Sequence, residues 1–125
     1  METCTDPPSS FRELLDRYAR GERDFAEVDL DADPKCDLAG VCLDGADLSR
    51  AFIIASFRGA SLRGARFHEA NVKTCDFRGA DLRDADFRGA ALCSAAFEGA
   101  KLDGANFAGA YIHSHTFGKG EKPDV

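Results

Sequence analysis

From Ala55 to Lys119 a hydrophobic side chain recurs at every fifth position, thirteen times without an insertion: Phe57, Leu62, Phe67, Val72, Phe77, Leu82, Phe87, Leu92, Phe97, Leu102, Phe107, Ile112 and Phe117. Two positions before them stands Ala in eleven of the thirteen, Cys75 and His115 being the others, and polar residues mostly flank the hydrophobic one, often followed by Gly. A helix rotates residues five apart by about 140°, and a strand sends them to opposite faces. Only a chain that turns a corner every five residues keeps all thirteen inward. The pattern therefore predicts a solenoid in place of ordinary helices and strands.

The repeats Ala80-Asp81-Leu82-Arg83-Asp84 and Ala105-Asn106-Phe107-Ala108-Gly109 resemble the motif of the pentapeptide-repeat family: Ala, Asp or Asn, Leu or Phe, then two variable positions. The resemblance is close over residues 36–119 and loose over 23–32. It implies an all-β solenoid, a right-handed quadrilateral β-helix with four repeats to a coil, which for this chain means four to five coils. Residues twenty apart then stack. Phe57, Phe77, Phe97 and Phe117 fall in one column and Phe67, Phe87 and Phe107 in the opposite one, with Leu62, Leu82, Leu102 and Val72, Leu92, Ile112 on the remaining walls. Cys75 takes a small inward slot and reads as a buried small hydrophobe.

Upstream, Leu38, Leu43 and Leu48 continue the phase, but Ala51-Phe52-Ile53-Ile54 is one residue short, so the register slips there. Phe25 and Leu30 centre two degenerate repeats, separated from Cys36 by an extra Asp33-Pro34-Lys35 that reads as a surface bulge. Ser10-Phe11-Arg12-Glu13 is a capping-box signature, and Phe11, Leu14, Leu15 and Tyr18 follow at one-face helical spacing until Gly21. Four segments are expected: a disordered start over residues 1–10, a helix over 11–20 lying on the first coil as a lid, the β-helix over 21–119, and a flexible tail over 120–125. The tail is too polar and glycine-rich to seal a core. An open solenoid end needs a cover. A homodimer packed last coil to last coil through Leu102, Phe107, Ile112 and Phe117 is therefore expected, and the resemblance adds weight because some family members dimerise at this end.

Composition narrows the function. At 125 residues there is room for one small domain, and no apolar run approaches the ~20 residues that cross a bilayer. The polar start does not read as a signal peptide, and five Cys without paired spacing suit a reducing compartment, so a cytoplasmic protein is expected. A filled solenoid has no concave pocket with converging polar groups, and neither a phosphate loop nor a nucleophile elbow occurs in the sequence, so no catalytic residue, cofactor or enzyme activity is expected. His113, His115 and Cys93 lie near one corner, but His113 points outward and His115 occupies an inward slot, so no metal site is expected.

Two functional readings remain. The resemblance suggests a DNA mimic that binds a type II topoisomerase such as gyrase. However, the net charge of −6 comes from the ends, while residues 36–119 balance ten acidic against ten basic side chains. Arg58, Arg63, Arg66, Lys73, Arg78, Arg83 and Arg88 form a basic belt where a mimic needs carboxylates. Stacked coils would set Arg58 beside Asp76, Arg63 beside Asp81 and Arg66 beside Asp86, which also makes the surface a poor tracker of phosphates, so nucleic acid is an unlikely ligand. The second reading is a non-enzymatic interaction or scaffold module with an unknown protein partner. On the Val72, Leu92, Ile112 side the outward positions are Phe52, Ile54, Asn71, Lys73, Ala91, Cys93, Tyr111 and His113, almost free of paired charge, which is the character of a docking face. The competing explanation is that the register slip turns Phe52 inward, or that the chain before Cys36 folds over it.

Overall fold

The computed structural model of the protein describes residues 10–30, 37–112 and 115–123. The start before Ser10, the bulge at Asp33-Pro34-Lys35 and His113 lie outside the described residues. Most repeats turn their corners in the same way. The carbonyl of the central residue accepts the amide three residues on, as in Ala60 to Phe57 at 3.0 Å and Ala90 to Phe87 at 3.0 Å. The residue before that amide is left-handed, with φ of 68° at Gly59 and 70° at Gly89. This is the signature of a β-turn with positive φ at its third position, which is why glycine recurs there.

Six corners use other residues at that position: Glu27, Arg50, Glu69, Thr74, Asp84 and Ser94, with φ from 57° to 65°. Thr74, at 62°, is β-branched and therefore the most strained of them. It is exposed, so little packing would be lost on replacement. Thr74→Gly is expected to raise stability by about 1 kcal/mol, seen as a higher Tm; an unchanged or lower Tm would contradict the strain at this corner.

Parallel bridges stack the corners. From Ser56 onward they join residues twenty apart, as in Ser56 to Asp76 to Ala96 and Asn71 to Ala91 to Tyr111. Between Asp37 and Phe52 the partners are nineteen apart, and for Asp24 and Asp29 they are twenty-three apart. The single missing residue falls in the repeat Ala51 to Ile54, and the three extra ones fall between Leu30 and Asp37. In the short repeat Ile53 is the inward residue and is fully buried, whereas Phe52 and Ile54 are 40% and 46% exposed. The slip thus leaves Phe52 pointing out.

Inside, two phenylalanine ladders face one another. Phe57, Phe77 and Phe97 stack with centroids 5.0 and 5.2 Å apart, and Phe67, Phe87 and Phe107 with 4.7 and 4.8 Å. Across the core the ladders meet edge to face at 5.6–6.2 Å, the arrangement aromatic quadrupoles favour. Leu62, Leu82, Val72 and Leu92 are buried beside them, and the Cys75 thiol, also buried, donates to the Ile53 carbonyl at 3.2 Å.

The two ends differ from each other. At the first, Ser10 accepts the Glu13 amide at 3.2 Å and opens α1, Phe11–Ala19, which stops at Arg20 and left-handed Gly21, one residue before the expected end. Leu14 is fully buried, with Phe11, Leu15 and Tyr18 packed against the core, and the Tyr18 hydroxyl donates to the Asp44 carbonyl at 2.7 Å. At the second end the expectation that the chain itself cannot cover the last coil needs correction. The chain doubles back: β1, Tyr111–Ile112, pairs antiparallel with β2, His115–Thr116. Phe117 then packs edge-on against Phe107 at 6.1 Å, the kind of contact that crosses between the ladders elsewhere, but it forms no stacked pair with Phe97. Leu102, Phe107 and Phe117 are each no more than 7% exposed and Ile112 is partly buried, so apolar surface expected to need a second molecule is covered within one chain. The hairpin closes the Phe107 corner of this end because it directs the amide and carbonyl there back onto the same chain, Gly109 donating to Phe117 at 2.9 Å and Phe117 to Ala110 at 2.8 Å.

Candidate interaction wall

The residue before each central hydrophobe lies in the bridge ladder and points outward, which produces four columns. Three of them carry charge: Asp24, Asp47, Arg66, Asp86 and Asn106; Asp37, Ser56, Asp76 and Ala96; Cys42, Ser61, Asp81 and Lys101. The fourth reads Asp29, Phe52, Asn71, Ala91 and Tyr111. Among the described residues the large hydrophobic side chains that are exposed are Phe52, Ile54 and Tyr111, and all three belong to this wall. From Phe52 to Tyr111 the column rises three layers, about 14 Å at the usual strand spacing. Lys73 is exposed, Cys93 half-buried and Ala91 only 5% exposed. The expectation that Ala91 projects outward is therefore corrected: its methyl group is too short to rise above Asn71 and Tyr111, and it forms the floor of the strip.

On the charged walls the side chains pair differently from the expectation drawn from stacking alone. Arg58 does reach Asp76, at 3.0 Å, but Arg63 pairs with Asp44 at 3.2 Å and not with Asp81. Asp81 is held by Arg83 at 2.7 Å and Asp86 by Arg88 at 2.8 Å, not by Arg66, and Asp76 also holds Arg78 at 2.9 Å. The cause lies in the corner. Each of these aspartates accepts the amide two residues on, at 3.0 Å for Arg78, 3.2 Å for Arg83 and 3.0 Å for Arg88. That turn bond points the carboxylate at the side chain of the same residue, and the guanidinium closes onto both oxygens. Asn106 makes the same bond to Ala108 at 3.0 Å, which is the physical reason for Asp or Asn at the second motif position.

Arg78, hydrogen-bonded to Asp76 and assisted by Arg58, holds the Asp76 carboxyl well below the usual range, and Arg83 lowers Asp81 in the same way. At Asp86 burial works in the opposite direction, but Arg88 outweighs it. A carboxylate depressed in the folded state stabilises the protein above its unfolded value of about 3.9, and that contribution is lost as pH falls through the folded value. Stability is therefore expected to hold down to about pH 5 and to fall below about pH 4. Asp76→Asn should keep the turn bond, cost under about 1 kcal/mol at neutral pH because the pair is solvent-screened, and flatten the acid limb. Asp76→Ala should cost about 1 kcal/mol more. Equal denaturation midpoints for the two variants at pH 7 would contradict the turn-bond account.

His115, expected in an inward slot, is exposed, with Nε2 2.6 Å from the Glu121 carboxylate. The reversal at the hairpin carries it out of the repeat. The Gly118 amide, at 2.9 Å, and His115 lower the Glu121 carboxyl. Among the described residues no group of three or more His, Cys, Asp or Glu is placed to hold a metal ion, and no helix is long and apolar enough to cross a membrane. Neither the turn bonds nor the reversal after Ile112 was among the features derived from the sequence. The recurrence of Asp and Asn before the hydrophobe signals the first; His115 in a slot otherwise filled by Ala or Cys signals the second.

The family described as pentapeptide repeat region matches residues 34–107. Among solved structures the chain is similar to a pentapeptide repeat protein from the cyanobacterium Cyanothece 51142, with 28% identity and a TM-score of 0.61. That match covers 66% of this chain and 54% of the other, so the chain spans about half the length of that protein. It is also similar to a pentapeptide repeat protein from Nostoc PCC 7120, with 35% identity over 94% of this chain and 93% of the other and a TM-score of 0.46. No curated protein sequence matches significantly. The Cyanothece likeness and the parallel bridge ladder together identify the fold as a right-handed β-helical solenoid.

Proposed function

Because the chain belongs to the pentapeptide-repeat family, we propose that it is a non-catalytic interaction module: a quadrilateral β-helix of four to five coils that docks another protein on the Phe52, Ile54 and Tyr111 wall. The observation that carries this reading is the confinement of the exposed large hydrophobic side chains, among the described residues, to one wall. Scattered exposed apolar residues are ordinary on any surface; their alignment on one face of a rigid rod, with charge confined to Asp29 at its foot and Lys73 at its border, is not. Lys73 and the half-buried Cys93 border the strip, and Asn71 supplies a polar group within it, a composition close to that of a protein interface with an apolar centre.

The alternative, a DNA mimic directed at a type II topoisomerase, is disfavoured by the side-chain pairing. Asp44, Asp76, Asp81 and Asp86 are each engaged by arginine, which removes the middle of the charged walls from the run of uncompensated carboxylates that a DNA-like surface needs. The test is capture from the organism's own extract with the natural chain and with Phe52→Ser/Ile54→Ser. The proposal requires a protein retained by the first and lost by the second, with the interaction reproduced between purified components. Retention of the same protein by both chains would move the docking site to another wall, and a topoisomerase bound equally by both would favour the mimic.

A further inference from the structure

The repeat phase and the observed path disagree over one segment. Thr116 and Phe117 lie twenty residues after Ala96 and Phe97, the spacing that elsewhere produces a bridge and a stacked ring. The chain is instead folded back, with Thr116 paired to Tyr111 and the Phe117 amide and carbonyl bonded to Ala110 and Gly109 at 2.8 and 2.9 Å. The place that an in-phase repeat would occupy is a cavity of about 380 Å³, whose floor includes Ala95 and Phe97 and whose cover includes His115, Phe117 and Glu121.

The backbone beneath that cavity is prepared for another repeat. In preceding coils the amides of the central and left-handed residues donate nineteen residues ahead, Phe77 to Ala96 at 2.8 Å and Gly79 to Glu98 at 3.0 Å. The matching amides of Phe97 and Gly99 find no backbone acceptor among the described residues, and their in-phase acceptors would be the carbonyls of Thr116 and Gly118. One feature opposes that placement. His115 would enter the small slot held by Ala in eleven of thirteen repeats; folded back, it is instead clasped by Glu121 at 2.6 Å. A further repeat could not follow, since its central residue would be Lys122.

We propose that residues 115–119 form a two-position terminal repeat, either folded back over Phe107 or laid in register over Ala95 to Gly99, with His115 holding the folded-back position. In that position the Phe97 and Gly99 amides form an open edge; in register they are consumed by the chain itself. The choice of position therefore controls whether this end can accept a strand from outside.

His115→Ala removes both the clasp and the bulk, and His115 is exposed, so the variant should fold. Amide hydrogen exchange of the full chain, read residue by residue by NMR, compares it with the natural protein. The proposal expects exchange at Phe97 and Gly99 to slow at least about tenfold in His115→Ala, with Leu102 and Gly104, which have no following coil, unchanged. Adding Phe117→Ala should reverse the protection. Unchanged rates at Phe97 and Gly99, equal slowing at Leu102 and Gly104, or protection that survives Phe117→Ala would each overturn it.

Discussion

Replacing Phe87 by Ala is expected to lower the stability of the protein by about 3–5 kcal/mol, the largest loss of any single substitution in the solenoid. Phe87 stacks on Phe67 at 4.7 Å and on Phe107 at 4.8 Å, and receives the edges of Phe77 at 5.6 Å and Phe97 at 6.2 Å. It is fully buried. The backbone is fixed above and below by ladder bonds, Phe87 to Asn106 at 2.7 Å and Asp86 to Ala65 at 2.9 Å, so the coils cannot collapse into the vacated volume and the cavity term applies in full. Phe97 offers an internal comparison. It has a stacked partner only on one side, Phe77 at 5.2 Å, and a cavity on the other. Phe97→Ala should cost less than Phe87→Ala by roughly 1 kcal/mol or more. Urea titrations of the two variants measure both losses, and a Phe87→Ala cost below about 1.5 kcal/mol, or one no larger than that of Phe97→Ala, would mean that the ladders do not carry the core as described.

The second large effect concerns binding and leaves the fold intact. Phe52→Ser/Ile54→Ser should leave thermal stability nearly unchanged, since surface changes of this kind usually fall within about 0.5 kcal/mol each, while weakening the partner's affinity by on the order of 100-fold. The separation follows from the short repeat. Ile53 is the inward residue and stays in place, while Phe52 and Ile54 project to either side of it at 40% and 46% exposure. Circular dichroism melting and a binding titration on the same two samples check the pair of outcomes. A large fall in Tm would show that these side chains pack within the protein, and an unchanged affinity would remove the wall from the interface.

The coil itself was legible because a five-residue period requires a corner at every repeat, and the resemblance to the pentapeptide-repeat family implies four repeats to a coil and so a stack every twenty residues. The ladder of Phe57, Phe77 and Phe97 and that of Phe67, Phe87 and Phe107 follow once that implied coil is combined with the period. The register slip was legible too, although the orientation of Phe52 was not, since a four-residue repeat could have been accommodated by turning either Phe52 or Ile53 inward. Stacking arithmetic also misassigned the ion pairs of Arg63 and Arg66. It places backbones side by side but ignores the turn bond from each aspartate to the amide two residues on, which aims Asp81 and Asp86 at Arg83 and Arg88 before any neighbouring coil can compete. The end was the hardest part. Phe117 keeps the period perfectly, and its departure from the Phe97 column depends on the competing bonds of His115, Glu121 and the Tyr111 hairpin, which periodicity does not encode. The candidate wall was visible as a scarcity of paired charge; only the structure separates projecting Phe52, Ile54 and Tyr111 from recessed Ala91.

Hydroxyl-radical footprinting of the protein alone and in complex with its captured partner tests the central claim most directly, because it reports side-chain burial wall by wall. The account predicts that Phe52, Ile54 and Tyr111 are labelled in the isolated protein and lose most of their labelling together in the complex, while Arg78, Arg83 and Arg88 on the charged walls keep theirs. Protection centred on those arginines, with Phe52 and Tyr111 still labelled, would contradict it.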